Sequence, residues 1–151
     1  MKTGDEAPPG RLRRMPSWLI NQASAHSHRL VAERFAAVDA RGYHYRLLAA
    51  LQDGGPVSQA ELGRRTGIDR SDVVAALNEL ADQRLIERSP DPADGRRNII
   101  TLTPAAGRRL AGLEGVLAQI QEDLCAPLSP AEREQLVGLL TRIVEHHAQA
   151  R

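Results

Sequence analysis

Residues 56–104, PVSQAELGRRTGIDRSDVVAALNELADQRLIERSPDPADGRRNIITLTP, change hydrophobic period twice, from two helix-length segments to two strand-length ones around an Asp-Gly pair. The first segment opens at Ser58, whose hydroxyl suits an N-cap, and Glu61 three residues on completes the reciprocal capping pattern S-x-x-E. Gly67 ends that helix, because glycine accepts the left-handed conformation of a sharp turn, and Asp69 stands as the next N-cap. The second helix runs from Asp69 to Gln83. Its apolar positions Val73, Val74, Leu77, Leu80 and Ala81 recur at steps of three and four and define an inward face, leaving Arg70, Ser71, Ala75 and Asn78 mostly elsewhere.

Beyond Arg84 the pattern shortens to Leu85-Ile86-Glu87-Arg88 and resumes as Asn98-Ile99-Ile100-Thr101-Leu102, which predicts two antiparallel strands. Asp94-Gly95 reads as the turn between them, since glycine tolerates positive φ, although Pro90 and Pro92 argue for a loop longer than a minimal hairpin. Arg96 and Arg97 sit at the loop tip. Thr103-Pro104 then starts another helix, with proline at the first helical position, where its missing N–H costs least. Two tightly joined helices followed by a hairpin make a winged helix-turn-helix.

Composition narrows the class. The chain has 151 residues, 42% of them hydrophobic but only 3% aromatic, so its core is built from Leu, Val, Ile and Ala, which suits helices. Its formal net charge is +1, so bulk charge does not point to nucleic acid, and that case rests on where the arginines stand. The single cysteine, Cys125, excludes an intramolecular disulfide and fits a reducing compartment. With neither an apolar secretion signal nor a membrane-length apolar run in the sequence, the expectation is a cytoplasmic protein with no membrane association.

Outside the lobe, Leu110, Leu113, Leu117, Ile120 and Leu124 follow a heptad seam. Ser129-Pro130-x-Glu132 is another capping box, launching Leu136, Leu139, Leu140, Ile143, Val144 and His147 along one face, while a first helix from about Ser17 offers Leu19, Ile20, Ala23, Leu30, Val31, Phe35 and Val38. These stripes exceed what a lobe of about fifty residues covers, so the terminal helices are expected to pair two copies of the chain. An intramolecular bundle is the alternative. Gly107, Gly112 and Gly115 read as close-approach or bending points in the seam helix. The expected class is mainly α with a small β-hairpin wing (α+β): a winged lobe at 43–103, dimerisation helices at 17–41 and 104–151 within one domain, 17–151, and a mobile arm at 1–16.

The motifs Gly42-Tyr43-x-x-Arg46-Leu47-Leu48-x-x-Leu51, Ser58-Gln59-x-Glu61-Leu62, Ile68-Asp69-Arg70-Ser71, Leu80, Leu85-Ile86-x-Arg88, Asp91-Pro92-x-Asp94-Gly95-Arg96 and Leu102-Thr103-x-x-Gly107 together resemble the MarR family of bacterial transcriptional regulators, over about Trp18 to His146. The resemblance implies a dimeric regulator, usually a repressor, that binds a pseudo-palindromic operator in double-stranded DNA and is tuned by a small ligand or by oxidation. On that reading Arg70, Ser71, Ala75 and Asn78 reach base edges or phosphates in the major groove. Arg96 matches the family's minor-groove arginine with Asp94 bracing it, and Arg97 with Ser58 and Gln59 meets phosphates. Arg64 and Arg65 are weaker candidates. Asp72, Val74 and Ala75 stand where the family commonly has polar or basic residues, which shifts discrimination toward wing, phosphates and DNA shape.

An organic effector is expected, by the same resemblance, in the crevice between dimer helices and lobe, near Trp18, His28, His44 and Arg46. The histidine pairs His26/His28 and His146/His147 are splayed on their helices and do not predict a metal site, and Cys125 has acidic neighbours in Glu122 and Asp123 that oppose thiolate formation. No cofactor and no catalytic residue is expected, since the chain carries no phosphate loop, nucleophile elbow, paired-carboxylate motif or zinc-hydrolase spacing. The alternatives are a winged helix that docks another protein, or a redox- or metal-responsive regulator of the same fold.

Overall fold

A computed structural model describes residues 8–150. Of the expected N-terminal arm, residues 1–7 lie outside the described residues, and Leu12–Arg14 form a short 3-10 turn. Six α-helices and three short strands follow: α1 (Pro16–Ala36), α2 (Gly42–Gly54), β1 (Val57–Ser58), α3 (Gln59–Thr66), α4 (Arg70–Asp82), β2 (Ile86–Pro90), β3 (Asn98–Leu102), α5 (Pro104–Leu124) and α6 (Pro130–Gln149).

The helix-turn-helix forms where the sequence puts it. Ser58 caps α3 by accepting the Glu61 N–H at 3.2 Å, and Gly67 closes it with φ 66°. Only half of the expected capping box exists, because the Glu61 carboxylate turns to the Arg64 and Arg65 guanidiniums, whose charges attract it more strongly than a neutral amide does. In α4 the buried face is Val73, Ala76, Leu77 and Leu80; Val74, expected inside, is exposed, and Ala76 takes its place. The helix closes with a left-handed Arg84 (φ 58°), Leu85 N–H donating to Leu80 O and Arg84 N–H to Ala81 O. This is the paired closure usually built on glycine.

The wing strands pair in register from Ile86↔Leu102 to Pro90↔Asn98. Val57 and Ser58 add a third strand on the other side of β3, in the order β1-β3-β2, which two residues of sequence are too short to announce. Gly95 is not in the left-handed region expected of it. Instead the loop closes through two successive turns, Asp94 N–H to Asp91 O and Arg97 N–H to Asp94 O, each stiffened by its aspartate, which accepts the amide two residues on (Ala93 to Asp91, Arg96 to Asp94). Thr103 precedes α5 as expected but does not cap it with its side chain: the hydroxyl donates to Arg84 O at 2.7 Å and ties the end of α4 to the wing.

One core runs through lobe and flanking helices. Leu47, Leu48, Leu62, Leu77, Leu80 and Ile100 are fully buried, as are Phe35 of α1 and Leu113 and Ile120 of α5. Each such side chain contributes about 1.5–3 kcal/mol relative to exposure. Much of the α5 seam thus packs within its own chain, against α1, with Arg34 pairing Asp123 across the two helices. Gly107, Gly112 and Gly115 have open space where a Cβ would stand, so no close approach within the chain requires them. The helix α6 is different. It is exposed along its length except at Arg133, and Leu136, Val137, Leu139, Leu140, Ile143 and Val144 face solvent.

Candidate nucleic-acid interface

The α3–α4 corner and the wing enclose an open groove of about 860 Å³, lined by Ser58, Gln59, Arg64, Asp69, Arg70, Arg96, Arg97 and Asn98 with small or apolar residues between them. Four arginines against one aspartate line it, so its field is positive although the whole chain is nearly neutral. At its floor, Ser58 holds the Glu61 amide, while the first amides of α3, at Gln59 and Ala60, have no acceptor within the helix and suit an anion.

On the α4 side, Arg70 is the first helical residue, exposed at the groove rim. Ser71, Val74, Ala75 and Asn78 share an exposed stripe beyond it. Ser71 donates its hydroxyl to Asp69 at 2.6 Å, and this bond, with the nearby amides of Ser71 and Arg70, holds the Asp69 carboxyl below its ordinary pKa. Asp69 occupies the N-cap position, yet no backbone amide reaches it in capping geometry. Asn78 accepts from Arg88 of β2 at 2.8 Å.

On the wing side, the Arg96 side chain is 96% exposed and that of Arg97 69%, each 3.8 Å from Asp94. At that separation Asp94 steers both guanidiniums without sequestering either, and its main task is the turn it closes. Arg64 and Arg65 differ. Both bond Glu61, Arg64 through two nitrogens at 2.8 and 2.6 Å, and these contacts depress the Glu61 pKa, Arg64 first. Asn98 also lines the groove, and the sequence reading passed over it; a polar residue directly after the arginine pair was its only signal.

The four residues expected around an effector do not form one cluster. His44 is buried at 2%, its Nδ1 accepting the Arg41 N–H at 3.3 Å and its Nε2 bonding Glu79 of α4 at 2.6 Å. Arg46 donates to Thr66 O at 2.7 Å and lies over the Tyr43 ring. Trp18 and His28 are ten residues apart on α1, roughly 15 Å along its axis. No hydrogen bond or ion pair among the described residues joins the four. His26 bonds Arg29, and His146 meets His147 edge to face; among the described residues no group of three or more potential metal ligands is gathered. Cys125 is half-buried at the end of α5, where its carbonyl accepts from Arg133. No described helix is long and apolar enough to cross a membrane.

The lobe that carries this groove has relatives. A model described as the MarR family matches residues 38–97, the lobe itself. The chain is 33% identical over 105 residues to a protein of Thauera aromatica assigned by name to regulation of the hcr operon, covering 70% of this chain and 63% of that one. It is 33% identical over 103 residues to the HTH-type transcriptional repressor NicR of Pseudomonas putida, covering 68% and 65%. The chain therefore spans just under two thirds of the length of these curated relatives. Among solved structures, a probable transcriptional regulator from Pseudomonas aeruginosa superposes with a TM-score of 0.75 at 33% identity, over 88% of this chain and 99% of that one. Bordetella bronchiseptica BpsR, whose DNA binding is described as regulated by 6-hydroxynicotinic acid, superposes at 0.74 and 26% identity, over 85% and 97%. The fold of lobe and flanking helices thus recurs over nearly the whole of a solved regulator, and the chain belongs to the MarR family of bacterial transcriptional regulators.

Proposed function

We propose that two copies of the chain, joined through their terminal helices, bind a pseudo-palindromic operator in double-stranded DNA as a cytoplasmic repressor that a small organic effector releases. The groove that sets Arg70 against Arg96 and Arg97 across one concave surface carries this reading: α4 enters the major groove by its N-terminal half while the wing tip reaches the adjoining minor groove. Phosphate contacts come from Arg97, Ser58 and Gln59, and base or edge contacts from Arg70, Ser71, Ala75, Asn78 and Arg96. Release by an effector is supported by the likeness to BpsR, and repression by the likeness to NicR. For the effector, Trp18 and His28 are the residues whose side chains, unlike those of His44 and Arg46, make no hydrogen bond to the described residues; His44 and Arg46 serve the lobe's own framework.

Self-association follows from α6. An apolar stripe left in water costs about 25 cal/mol for each Å² exposed, and an isologous contact with a second copy removes that cost symmetrically. The test is a fluorescence titration with a palindromic duplex: if about 6 to 10 phosphates are contacted, affinity falls about 10^3- to 10^5-fold between 50 and 200 mM salt. Absent or salt-insensitive binding overturns the proposal in favour of a winged helix that docks another protein.

A further inference from the structure

The polar side chains on the exposed stripe of α4 do not present themselves to a duplex as free groups, because each is bound to a neighbour whose chemistry allows only one arrangement. Ser71 sits beside Asp69, whose ionised carboxylate accepts and cannot donate, so the Ser71 proton is committed to it at 2.6 Å and only hydroxyl lone pairs face outward. Asn78, two turns on, meets the Arg88 guanidinium at 2.8 Å. A guanidinium has five donors and no acceptor, so the amide oxygen must face Arg88 and the NH2 group is the edge left for a partner. Arg88 is half-buried on β2 and paired across the sheet with Ile100, so its guanidinium springs from a fixed strand. Between the two polar residues the stripe carries Val74 and Ala75, which neither donate nor accept.

We infer that Asp69 and Arg88 are positioning residues that fix the hydrogen-bond polarity of the reading face, making Ser71 an acceptor and Asn78 a donor toward the bases. This rests on the DNA-binding reading above. An asparagine free to turn pairs with adenine through both of its edges, accepting from N6 and donating to N7. With its oxygen turned to Arg88, Asn78 loses the two-edged grip on adenine and keeps its NH2 to donate, which favours guanine, whose O6 and N7 both accept, or thymine O4, over adenine, whose N7 stands beside an amino donor, and over cytosine. Ser71 selects the opposite class, the amino-bearing edges of cytosine or adenine. Val74 and Ala75 favour the thymine methyl group between them.

The experiment is selection from a duplex library with a randomised core, using the full chain and the variants Asn78→Ala, Ser71→Ala, Arg88→Met and Arg88→Lys, each checked for folding by circular dichroism. The position whose preference disappears in Asn78→Ala is expected to be guanine or thymine with the unmodified chain, and the position lost in Ser71→Ala to be cytosine or adenine. Arg88→Met, which cannot donate, releases the amide and admits adenine with at least about fivefold enrichment at the Asn78 position. Arg88→Lys, still a pure donor, keeps the original preference, and that rescue separates positioning from a general loss of structure. Adenine dominating the Asn78 position in the unmodified chain overturns the inference, and so does a base preference unaltered by Arg88→Met or by Asn78→Ala. If the unmodified chain recovers no duplex at all, the DNA-binding reading itself falls and the inference with it, an outcome distinct from a recovered but differently ordered sequence.

Discussion

The Nε2 of His44 lies 2.6 Å from a carboxylate oxygen of Glu79, joining α2 to α4 across the lobe. Because Nδ1 already accepts the Arg41 amide, the imidazole proton sits on Nε2 and is donated to Glu79, whose other oxygen is 3.3 Å from the Arg41 guanidinium. The helix α4 is thus anchored near its C-terminal end by a buried ring.

His44→Ala is therefore expected to destabilise the fold by about 2 to 4 kcal/mol, combining a lost buried volume with a lost hydrogen bond. Glu79→Gln keeps an acceptor and should cost less than about 1.5 kcal/mol. Urea unfolding at a fixed protein concentration measures both; equal midpoints for the two variants would remove the histidine from this role.

Arg96→Ala should weaken operator binding by about 1 to 3 kcal/mol while leaving self-association and unfolding unchanged, since the side chain is almost wholly in solvent. Anisotropy titration beside sedimentation reads the two effects separately. An unaltered affinity would take the wing out of the mechanism.

Glu61 pairs Arg64, which lines the groove, and Arg65, which lies toward Gly54 instead, so on the DNA-binding reading its carboxylate withholds one groove cation from phosphate. Glu61→Gln is expected to tighten DNA binding at low salt and to steepen the slope of log affinity against log salt by about one. The Ser58 cap survives, because it uses the Glu61 backbone amide. A slope identical to that of the unaltered chain would show that Arg64 does not reach the duplex.

Ile143 is 45% exposed on α6, toward the C-terminal end of its uncovered apolar stripe. Ile143→Glu should convert dimer to monomer at micromolar concentration, and operator affinity should fall with it because two half-sites are no longer held together. Sedimentation equilibrium is the direct measurement. A monomeric unaltered chain, or a dimer indifferent to the substitution, would exclude pairing through α6.

Among the described residues, four carboxyls have folded pKa values below their ordinary ones: Asp69 through the Ser71 hydroxyl, Asp123 through Arg34, Glu61 through Arg64 and Glu132 through the Ser129 amide. A depressed carboxyl stabilises the fold above its unfolded pKa, ordinarily 3.8 for aspartate and 4.5 for glutamate, and loses that contribution as pH falls through the lowered value. The urea midpoint should accordingly be level from neutrality to about pH 5 and decline below about pH 4.5, with Glu132→Gln showing a shallower decline. A midpoint that rises on acidification would contradict the assignment.

Periodicity and local chemistry were enough to place α3, the Gly67 turn, α4, the wing strands and the two terminal helices, because each depends on residues within four or five positions of one another. The cap of Ser129 with Glu132 formed fully for that reason. Where a local rule met a competing charge or a distant acceptor it failed: Glu61 chose arginines over its cap, and Thr103 chose Arg84 O over the start of α5. The two-residue strand β1 was invisible because it exists only through its partner β3.

The arginine-lined groove lies between these extremes. Arg70, Arg96 and Arg97 could be picked out from motif and turn chemistry, yet that they line one groove follows from the packing of α4 and of β3 against α3. His44 and Glu79 stand 35 residues apart with no shared motif, and Asn78 meets Arg88 only because β2 folds back along α4. A hydrogen bond between such residues requires their backbones to be brought within a few ångströms and held there, and it is the buried core that does this. The chain's pattern of polar and apolar residues dictated which elements form; the meeting of those elements dictated which side chains are spent inside the protein and which are left on its surface.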